Sequence, residues 1–140
     1  MGRAEEALAE YDKAIVAAHR DDKLITRLEN IEDAGSSVDK HHLERRRLGA
    51  IAYRDETIVY ARSRRGDVLR AMKRFDEALA EYEQVLALRP DDAYTYLDRG
   101  WLYQQQGRLD LARADYEKAV TLMAPDDWLN RALERTRLRD

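Results

Sequence analysis

The fold is decided by the stretch Gly100-Trp-Leu-Tyr-Gln-Gln-Gln-Gly-Arg-Leu-Asp-Leu-Ala-Arg-Ala-Asp-Tyr-Glu-Lys-Ala-Val-Thr-Leu-Met-Ala-Pro125, which is typical of two helical segments that meet at Gly107. A shift of 34 residues lays an earlier stretch of the chain on this one. The matched pairs are Gly66 with Gly100, Leu69 with Tyr103, Arg74 with Arg108, Phe75 with Leu109, Ala78 with Ala112, Tyr82 with Tyr116 and Leu88 with Leu122. A fixed period of this length indicates a repeat architecture.

This period and these residues resemble the tetratricopeptide repeat, a helix-turn-helix unit of about 34 residues. The family keeps a small residue in the first helix, a glycine at the turn, and an alanine, an aromatic and a small residue along the second helix. One copy fills the pattern with Gly100, Tyr103, Gly107, Ala112, Tyr116, Ala119 and Pro125. The copy before it has Gly66, Leu69, Ala78, Tyr82, Val85 and Pro90, with Lys73 where the turn glycine is expected. The resemblance implies an all-α fold, a tetratricopeptide-like α-α superhelix (solenoid) of helical hairpins.

The period divides the chain, which is expected to form a single domain over residues 1–140, into repeat units. Residues 2–20 repeat only the second-helix pattern, so they are predicted to form a half repeat. The expected units after it are a degenerate repeat over residues 21–54, clear repeats over 55–90 and 91–125, and a C-terminal capping helix over 126–139. Such a helix, with one polar face, would cover the open end of the last repeat.

Acidic doublets recur at spacings of 34, 36 and 35 residues and predict where first helices begin. They are Asp21-Asp22, Asp55-Glu56, Asp91-Asp92 and Asp126-Asp127. Gly35-Ser36-Ser37 predicts a turn, and Ser37 can cap a helix that starts at Val38. An alternative follows from the absence of proline and glycine between Ile51 and Ile58: Val38 to Met72 could form one continuous helix, which would favour exchange between two copies.

Composition excludes several classes of protein. The chain is 44% apolar and 38% charged, a balance that favours folded amphipathic helices over disorder. It has no cysteine, so disulfides and thiolate metal sites are excluded. No signal peptide and no membrane-spanning apolar stretch is present, so a soluble, cytoplasmic protein is expected. The net charge of −3 provides no global field that would attract nucleic acid.

Residues with catalytic or metal-binding potential are scarce. Ser37-Val38-Asp39-Lys40 matches Ser-x-x-Lys, but the partner motifs of that enzyme class are missing and a helix cap explains the serine. His41 and His42 are neighbours, and on a helix they point about 100° apart, so they cannot share one metal. The sequence therefore predicts no enzymatic activity, no metal site and no cofactor.

The resemblance implies a site for a partner protein, because in this family the stacked first helices line a concave groove. The positions that would face it are Tyr60, Ser63, Arg64, Asp67, Arg70, Ala71, Tyr94, Leu97, Asp98, Trp101, Gln104 and Gln105. Eight of them are the predicted partner contacts: Tyr60, Arg64, Asp67, Arg70, Tyr94, Asp98, Trp101 and Gln105. Aromatic and arginine side chains are the residue types that dominate binding hot spots. The predicted function is a non-catalytic protein–protein interaction scaffold that binds a peptide or helix.

Two alternatives belong to other classes of function. The first is structural self-assembly into a homodimer, by helix exchange or through the helix Arg3–Arg20, which lacks a partner helix in the repeat pattern. Its apolar face includes Ala7, Leu8, Tyr11, Ala14 and Ile15. The second, a lesser alternative, is nucleic-acid binding through clusters of arginines. The clustered arginines are Arg45, Arg46, Arg47, Arg62, Arg64, Arg65 and Arg70.

Overall fold

The computed structural model describes residues 2–33 and 40–123, which form five α-helices and contain no β-strand. The helices are α1 (Gly2–Asp33), α2 (Lys40–Ala71), α3 (Phe75–Leu88), α4 (Ala93–Gln105) and α5 (Leu109–Met123). The predicted all-α, tetratricopeptide-like repeat fold is confirmed. The chain divides into two compact units, residues 1–84 and residues 85–140, which are described separately below.

Helix α1 passes through Asp21-Asp22 without a break, so the helix start predicted at this doublet is wrong. The reason lies in its apolar stripe, whose members are spaced alternately by about one and two turns. Its buried apolar residues are Leu8, Ile15, Ala18, Ile25 and Leu28. The stripe continues on both sides of the doublet, and no proline interrupts it. Burial of this stripe therefore decides the helix, and the capping tendency of two aspartates does not.

Helix α2 is also continuous over residues 40–71, so the helix start predicted at Asp55-Glu56 is wrong and the alternative of one long helix through this junction is correct over these residues. The side chain of Asp55 accepts a hydrogen bond from Arg54 Nε at 2.8 Å. Among the described residues, Asp91-Asp92 is the doublet that does begin a helix. Asp92 caps α4 by accepting hydrogen bonds from the Tyr94 backbone N–H at 3.2 Å and the Thr95 hydroxyl at 2.9 Å.

The two long helices run antiparallel and are joined by ion pairs along their length. The pairs are Asp12 with Arg65, Asp22 with Arg54, and Glu29 with Arg47. The residue number of the acid on α1 rises while that of the arginine on α2 falls, as antiparallel helices require. The predicted half repeat therefore has a partner helix within the same chain. Hydrogen bonds with Asp22 and Asp55 raise the pKa of Arg54 above its ordinary value.

The two described hairpin turns have the same geometry. Lys73, with φ of 61°, and Gly107, with φ of 73°, are in the left-handed region. After α2, Lys73 N–H bonds to Arg70 O at 2.9 Å and Arg74 N–H to Leu69 O at 2.9 Å. After α4, the equivalent bonds run from Gly107 N–H to Gln104 O at 3.0 Å and from Arg108 N–H to Tyr103 O at 2.8 Å. Both turns are Schellman motifs, and Lys73 occupies the place that normally requires glycine.

Each hairpin is closed by a contact between a glycine and a tyrosine. A Cβ atom on Gly66 would lie 2.6 Å from Tyr82 Cε1, and one on Gly100 would lie 2.8 Å from Tyr116 Cε1. Ala112 and Ala119 beside the second contact are buried. The packing roles that the repeat pattern implies for these residues are thus confirmed, since only a glycine lets the helices come this close.

Several predictions fall outside the described residues, namely the turn at Gly35-Ser36-Ser37, the Ser37 cap, the doublet Asp126-Asp127 and the capping helix over residues 126–139. The division into repeat units stays a prediction.

Candidate functional site

The predicted contacts of the first clear repeat lie along one face of α2. Tyr60 is 61% exposed, and the Arg64 guanidinium carbon is 5.7 Å from the centre of its ring. Arg64 Nη1 is 3.4 Å from Asp67 Oδ2, and Arg70 Nη2 is 3.6 Å from Asp67 Oδ1. Tyr60, Arg64 and Asp67 are spaced by four and three residues, which puts them on the same side of the helix. The structure therefore brings these four residues together.

Asp67 also has a structural role. It accepts a hydrogen bond from the hydroxyl of Tyr82 at 2.9 Å, while Tyr82 itself is almost fully buried. A buried tyrosine hydroxyl needs a partner, so Asp67 fixes α3 against α2. Its side chain still keeps 31% of its surface exposed. Carboxylate oxygens have lone pairs for several donors, so Asp67 can hold Tyr82 and still accept from the solvent side.

The four contacts predicted for the last repeat share one face of α4. Tyr94 is 73% exposed and Trp101 is 39% exposed. Gln105 is also exposed, and Asp98 is half-buried. Spacings of four, three and four residues align all four along the helix. Tyr94, Asp98 and Trp101 stand 34 residues after Tyr60, Arg64 and Asp67, so the two helices present the same repeat positions to their surroundings.

Two ion pairs between partly buried arginines and buried carboxylates were not predicted from the sequence. Arg99 donates two hydrogen bonds to Asp115, from Nε at 2.7 Å and from Nη2 at 2.8 Å. These bonds raise the pKa of Arg99 above its ordinary value. Arg65 contacts Glu81 at 2.8 Å in the earlier hairpin. Both pairs obey the 34-residue period, which is the signal that could have revealed them.

A pocket of about 610 Å³ on the last hairpin was also missed. It lies between the end of α4 and the length of α5. Its lining residues are Gln104, Leu109, Ala112, Arg113, Tyr116, Glu117, Val120 and Thr121. The Tyr116 hydroxyl donates to Gln104 Oε1 at 2.8 Å, so Gln104 belongs to this hairpin contact. Half of the lining side chains are apolar, namely Leu109, Ala112, Tyr116 and Val120, and all four belong to α5, the helix that the predicted capping helix would follow in the chain.

Tyr53 is a further exposed aromatic residue that sequence reasoning missed. It is 68% exposed and stands seven residues before Tyr60, so both point to the same side of α2. Sequence reasoning assigned Tyr53 to a junction between two helices, where its direction could not be derived. A continuous α2 makes it part of the same face.

The arginine clusters are dispersed around α2. Arg47, Arg54 and Arg65 contact acidic residues of α1. Arg62 contacts Glu81 of α3 at 3.0 Å. These arginines are therefore already neutralised by internal partners, whereas a phosphate-binding surface needs basic side chains gathered on one side.

Within residues 2–33 and 40–123, no group of three or more metal-ligating side chains comes together. His41 and His42 are both exposed on α2. None of the helices in the described part of the chain is long and apolar enough to cross a membrane.

Comparison with known proteins supports the resemblance that the period predicts. Residues 57–124 match the family described as Tetratricopeptide repeat. The chain is also 34% identical over 87 residues to the Protein O-mannosyl-transferase TMTC1 of Mus musculus. This match covers 54% of the chain but only 9% of that relative. The chain thus spans less than a tenth of the length of the transferase. The activity in the name of the transferase is a property of that protein.

Proposed function

Residues 57–124 belong to the tetratricopeptide-repeat family, and we propose on this premise that the chain is a non-catalytic scaffold for protein–protein interaction. Repeats of this family generally mediate such interactions. The proposed partner is a peptide or a helix that binds exposed side chains of the repeats. The proposed contacts are Tyr60, Arg64, Asp67, Arg70, Tyr94, Asp98, Trp101 and Gln105.

The observation that carries this proposal is the exposure of large aromatic side chains at equivalent repeat positions. Tyr60 and Tyr94 stand 34 residues apart, and both leave more than half of their surface in water. A tyrosine or tryptophan buries a large apolar area at little cost in side-chain entropy when a partner covers it. Trp101, on the same face as Tyr94, is the strongest candidate for a central anchor.

Arginine and acidic side chains beside these aromatics would provide the orientation of the partner. Arg64 stacks on Tyr60 in the free chain, so the guanidinium is already held in one place. A held guanidinium loses less entropy when it donates paired hydrogen bonds to a carboxylate of the partner. Asp98 on α4 offers an acceptor for basic or amide groups. We therefore propose that the partner segment carries both an apolar anchor and at least one carboxylate.

A displayed peptide library, selected on the wild-type chain, tests the proposal. Affinities of the selected peptides are then measured by calorimetry for the wild type, Trp101→Ala and Leu111→Ala. Leu111 lies on α5 with 41% exposure, close to that of Trp101, and serves as the matched control. Trp101→Ala is expected to weaken binding by about 1–2 kcal/mol, or roughly 5- to 30-fold, with helicity unchanged. Equal affinities for all three chains would refute the proposed site.

Nucleic-acid binding remains the lesser alternative. The internal ion pairs of Arg47, Arg54, Arg62 and Arg65 speak against it, because they leave few arginines for phosphates. A gel-shift titration with single-stranded and double-stranded oligonucleotides at low salt distinguishes the two functions. Phosphate-driven binding would have to weaken steeply as salt rises.

We also propose that the chain is located in the cytoplasm, and imaging of the tagged chain tests this location.

Self-assembly needs a different basis from the one that the sequence suggested. Helix α1 packs against α2 of its own chain, so the half repeat is not an unpaired helix that must find cover in a second copy. A homodimer through that helix is therefore not proposed. The exposed face of α2 offers another route.

A further inference from the structure

The continuity of α2 creates an exposed stripe longer than one repeat, here called the α2 stripe. Its members recur at spacings of four, three, four, seven, four, three and four residues, which keeps them on one side of the helix. They are His42, Arg46, Gly49, Tyr53, Tyr60, Arg64, Asp67 and Ala71. All are exposed except Asp67, which is half-buried. At 1.5 Å per residue the stripe is about 44 Å long.

The order of side chains along the α2 stripe is self-complementary about the point between Glu56 and Thr57. When a second copy of the stripe is laid antiparallel on the first, with the two centred at that point, four pairs of positions lie opposite each other. They are Tyr53 with Tyr60, Arg46 with Asp67, Gly49 with Arg64, and His42 with Ala71. Each aromatic therefore meets an aromatic, each outer arginine meets an acid, and the long Arg64 meets the smallest residue.

We infer that a second copy of this chain docks on the α2 stripe, with the two α2 helices antiparallel and related by a two-fold axis near Glu56. In such an isologous interface every pair forms twice, which doubles the contribution of each contact. The two Tyr53–Tyr60 pairs form its apolar centre. The two Arg46–Asp67 ion pairs fix its register, because a slip of one turn would separate them.

The contacts within one chain prepare the stripe for this partner. Asp67 is held by Tyr82 and lies 3.4 Å from Arg64 and 3.6 Å from Arg70 of its own chain, yet 31% of its side chain stays exposed, so Arg46 of a second copy would join these donors at a fixed acceptor. Gly49 has open space where a Cβ atom would lie, which leaves room for the opposite Arg64. A glycine in an exposed helix interior is less stable than alanine at the same position. Close approach of another backbone is a use that offsets this cost.

A second copy is favoured over an unrelated partner by the symmetry itself. A foreign helix would require complementary residues on its own surface, whereas the two-fold order is needed only when the stripe meets itself. The inference stands on α2 alone and does not rest on the proposed function. A dimer would cover Tyr60, Arg64 and Asp67, so this pairing would compete with a peptide bound to α2.

Glu56 is expected to weaken the pairing, so replacing it provides a test in which dimer affinity should increase. It lies at the edge of the stripe next to the two-fold axis, so the dimer would bring two Glu56 side chains close together. Like charges at such a distance repel. Glu56→Gln is expected to tighten the dimer in sedimentation equilibrium. Tyr53→Glu, which places a charge in the apolar centre, is expected to weaken it by about tenfold or more while circular dichroism stays unchanged.

Cysteine cross-linking tests the geometry directly, because the chain has no cysteine of its own. Glu56→Cys lies near the axis and should form a disulfide with its own copy under mild oxidation. Leu48→Cys, also exposed on α2 but turned away from the stripe, is the control and should not. Neither Arg46→Cys nor Asp67→Cys should cross-link when it is the only variant present, because the same position in the two chains of the dimer is about 30 Å apart. A mixture of these two variants should cross-link.

These outcomes decide the inference. Cross-linking of Arg46→Cys with itself would mean a parallel pairing and would overturn the register. Equal rates for Glu56→Cys and Leu48→Cys, or a wild-type chain that is monomeric at every concentration, would overturn the dimer. The α2 stripe does not include α4, so the loss of peptide affinity in Trp101→Ala relative to Leu111→Ala can be measured whether or not the chain dimerises, and a failure of one proposal is distinguishable from a failure of the other.

Discussion

At the scale of single residues, the turn positions of the two hairpins show how the repeat tolerates a substitution. Gly107 takes its left-handed conformation at no steric cost. Lys73 adopts almost the same φ, although its Cβ atom crowds the following carbonyl. The backbone hydrogen bonds of the two turns are equivalent. The helices on either side of Lys73 therefore hold the turn in this conformation, although the backbone of Lys73 is strained.

Replacement of this lysine by glycine is expected to stabilise the chain. A non-glycine residue in the left-handed region costs about 1–2 kcal/mol, while glycine loses roughly 0.5–1 kcal/mol of backbone entropy. Lys73→Gly should therefore raise the free energy of unfolding by about 1 kcal/mol and the melting temperature by about 3 °C. Urea and thermal unfolding followed by circular dichroism measure both.

Two controls isolate the backbone effect. Lys73→Ala removes the side chain and keeps the strained conformation, so it should change stability little. Gly107→Ala introduces the same strain in the other hairpin and should destabilise the chain by about 1 kcal/mol. If Lys73→Gly and Lys73→Ala have the same stability, strain at this turn is not the cause.

At the scale of helices, the repeat pattern predicted the parts that obey a local rule. The turn at Gly107 and the close contacts of Gly66 and Gly100 follow from glycines at fixed positions, and the turn at Lys73 follows from its alignment with Gly107; all are present. The doublets Asp21-Asp22 and Asp55-Glu56 were misleading because a cap signal depends on what the neighbouring turns bury. When α1 and α2 pack antiparallel, each helix buries an apolar stripe that continues past its own doublet. This is a tertiary effect, which the helix-capping preferences of single residues do not include.

The candidate site could be predicted only in part for the same reason. Alignment to the repeat put Tyr60, Arg64, Tyr94 and Trp101 on exposed faces, because their helix positions follow from the glycines. The direction of Tyr53 depends on whether α2 is continuous, and the hydrogen bond of Asp67 depends on where α3 packs. Neither can be derived before the tertiary structure is known.

Proline substitution at Glu56 tests the continuity of α2. At the start of a helix, as the doublet predicted, proline would be tolerated, because its missing N–H is not needed there. Inside a continuous helix it removes a hydrogen bond and clashes with the preceding turn, at a cost of about 3 kcal/mol or more. Glu56→Pro is therefore expected to reduce the free energy of unfolding by at least that amount, measured by urea denaturation. Glu56→Ala is the control for loss of the side chain, and a proline variant as stable as this control would contradict a continuous helix.

At the scale of the whole molecule, charge is distributed unevenly between the helices. Helix α1 carries nine acidic and five basic residues, a net charge of −4, whereas α2 carries nine basic and four acidic residues, a net charge of +5. The net charge of −3 for the full sequence conceals this separation. Three ion pairs that the described side chains form between α1 and α2 have their basic member on α2, so electrostatic attraction between the helices adds to the burial of the apolar stripe.

The long hairpin is therefore expected to be sensitive to salt. Partly exposed ion pairs contribute about 0.2–1 kcal/mol each, and they weaken when the screening length falls from tens of ångströms to a few. Raising KCl from about 0.02 M to about 0.5 M should lower the free energy of unfolding by roughly 1 kcal/mol, measured by urea titration at each salt concentration. The control is the double variant Arg47→Gln, Arg54→Gln, which removes two of the three pairs and keeps the length of both side chains nearly constant. Its stability should be lower at low salt and should change much less as salt rises. Equal salt dependence in the variant and the wild type would show that the charge separation does not stabilise the hairpin, and that burial of the apolar stripe alone holds α1 to α2.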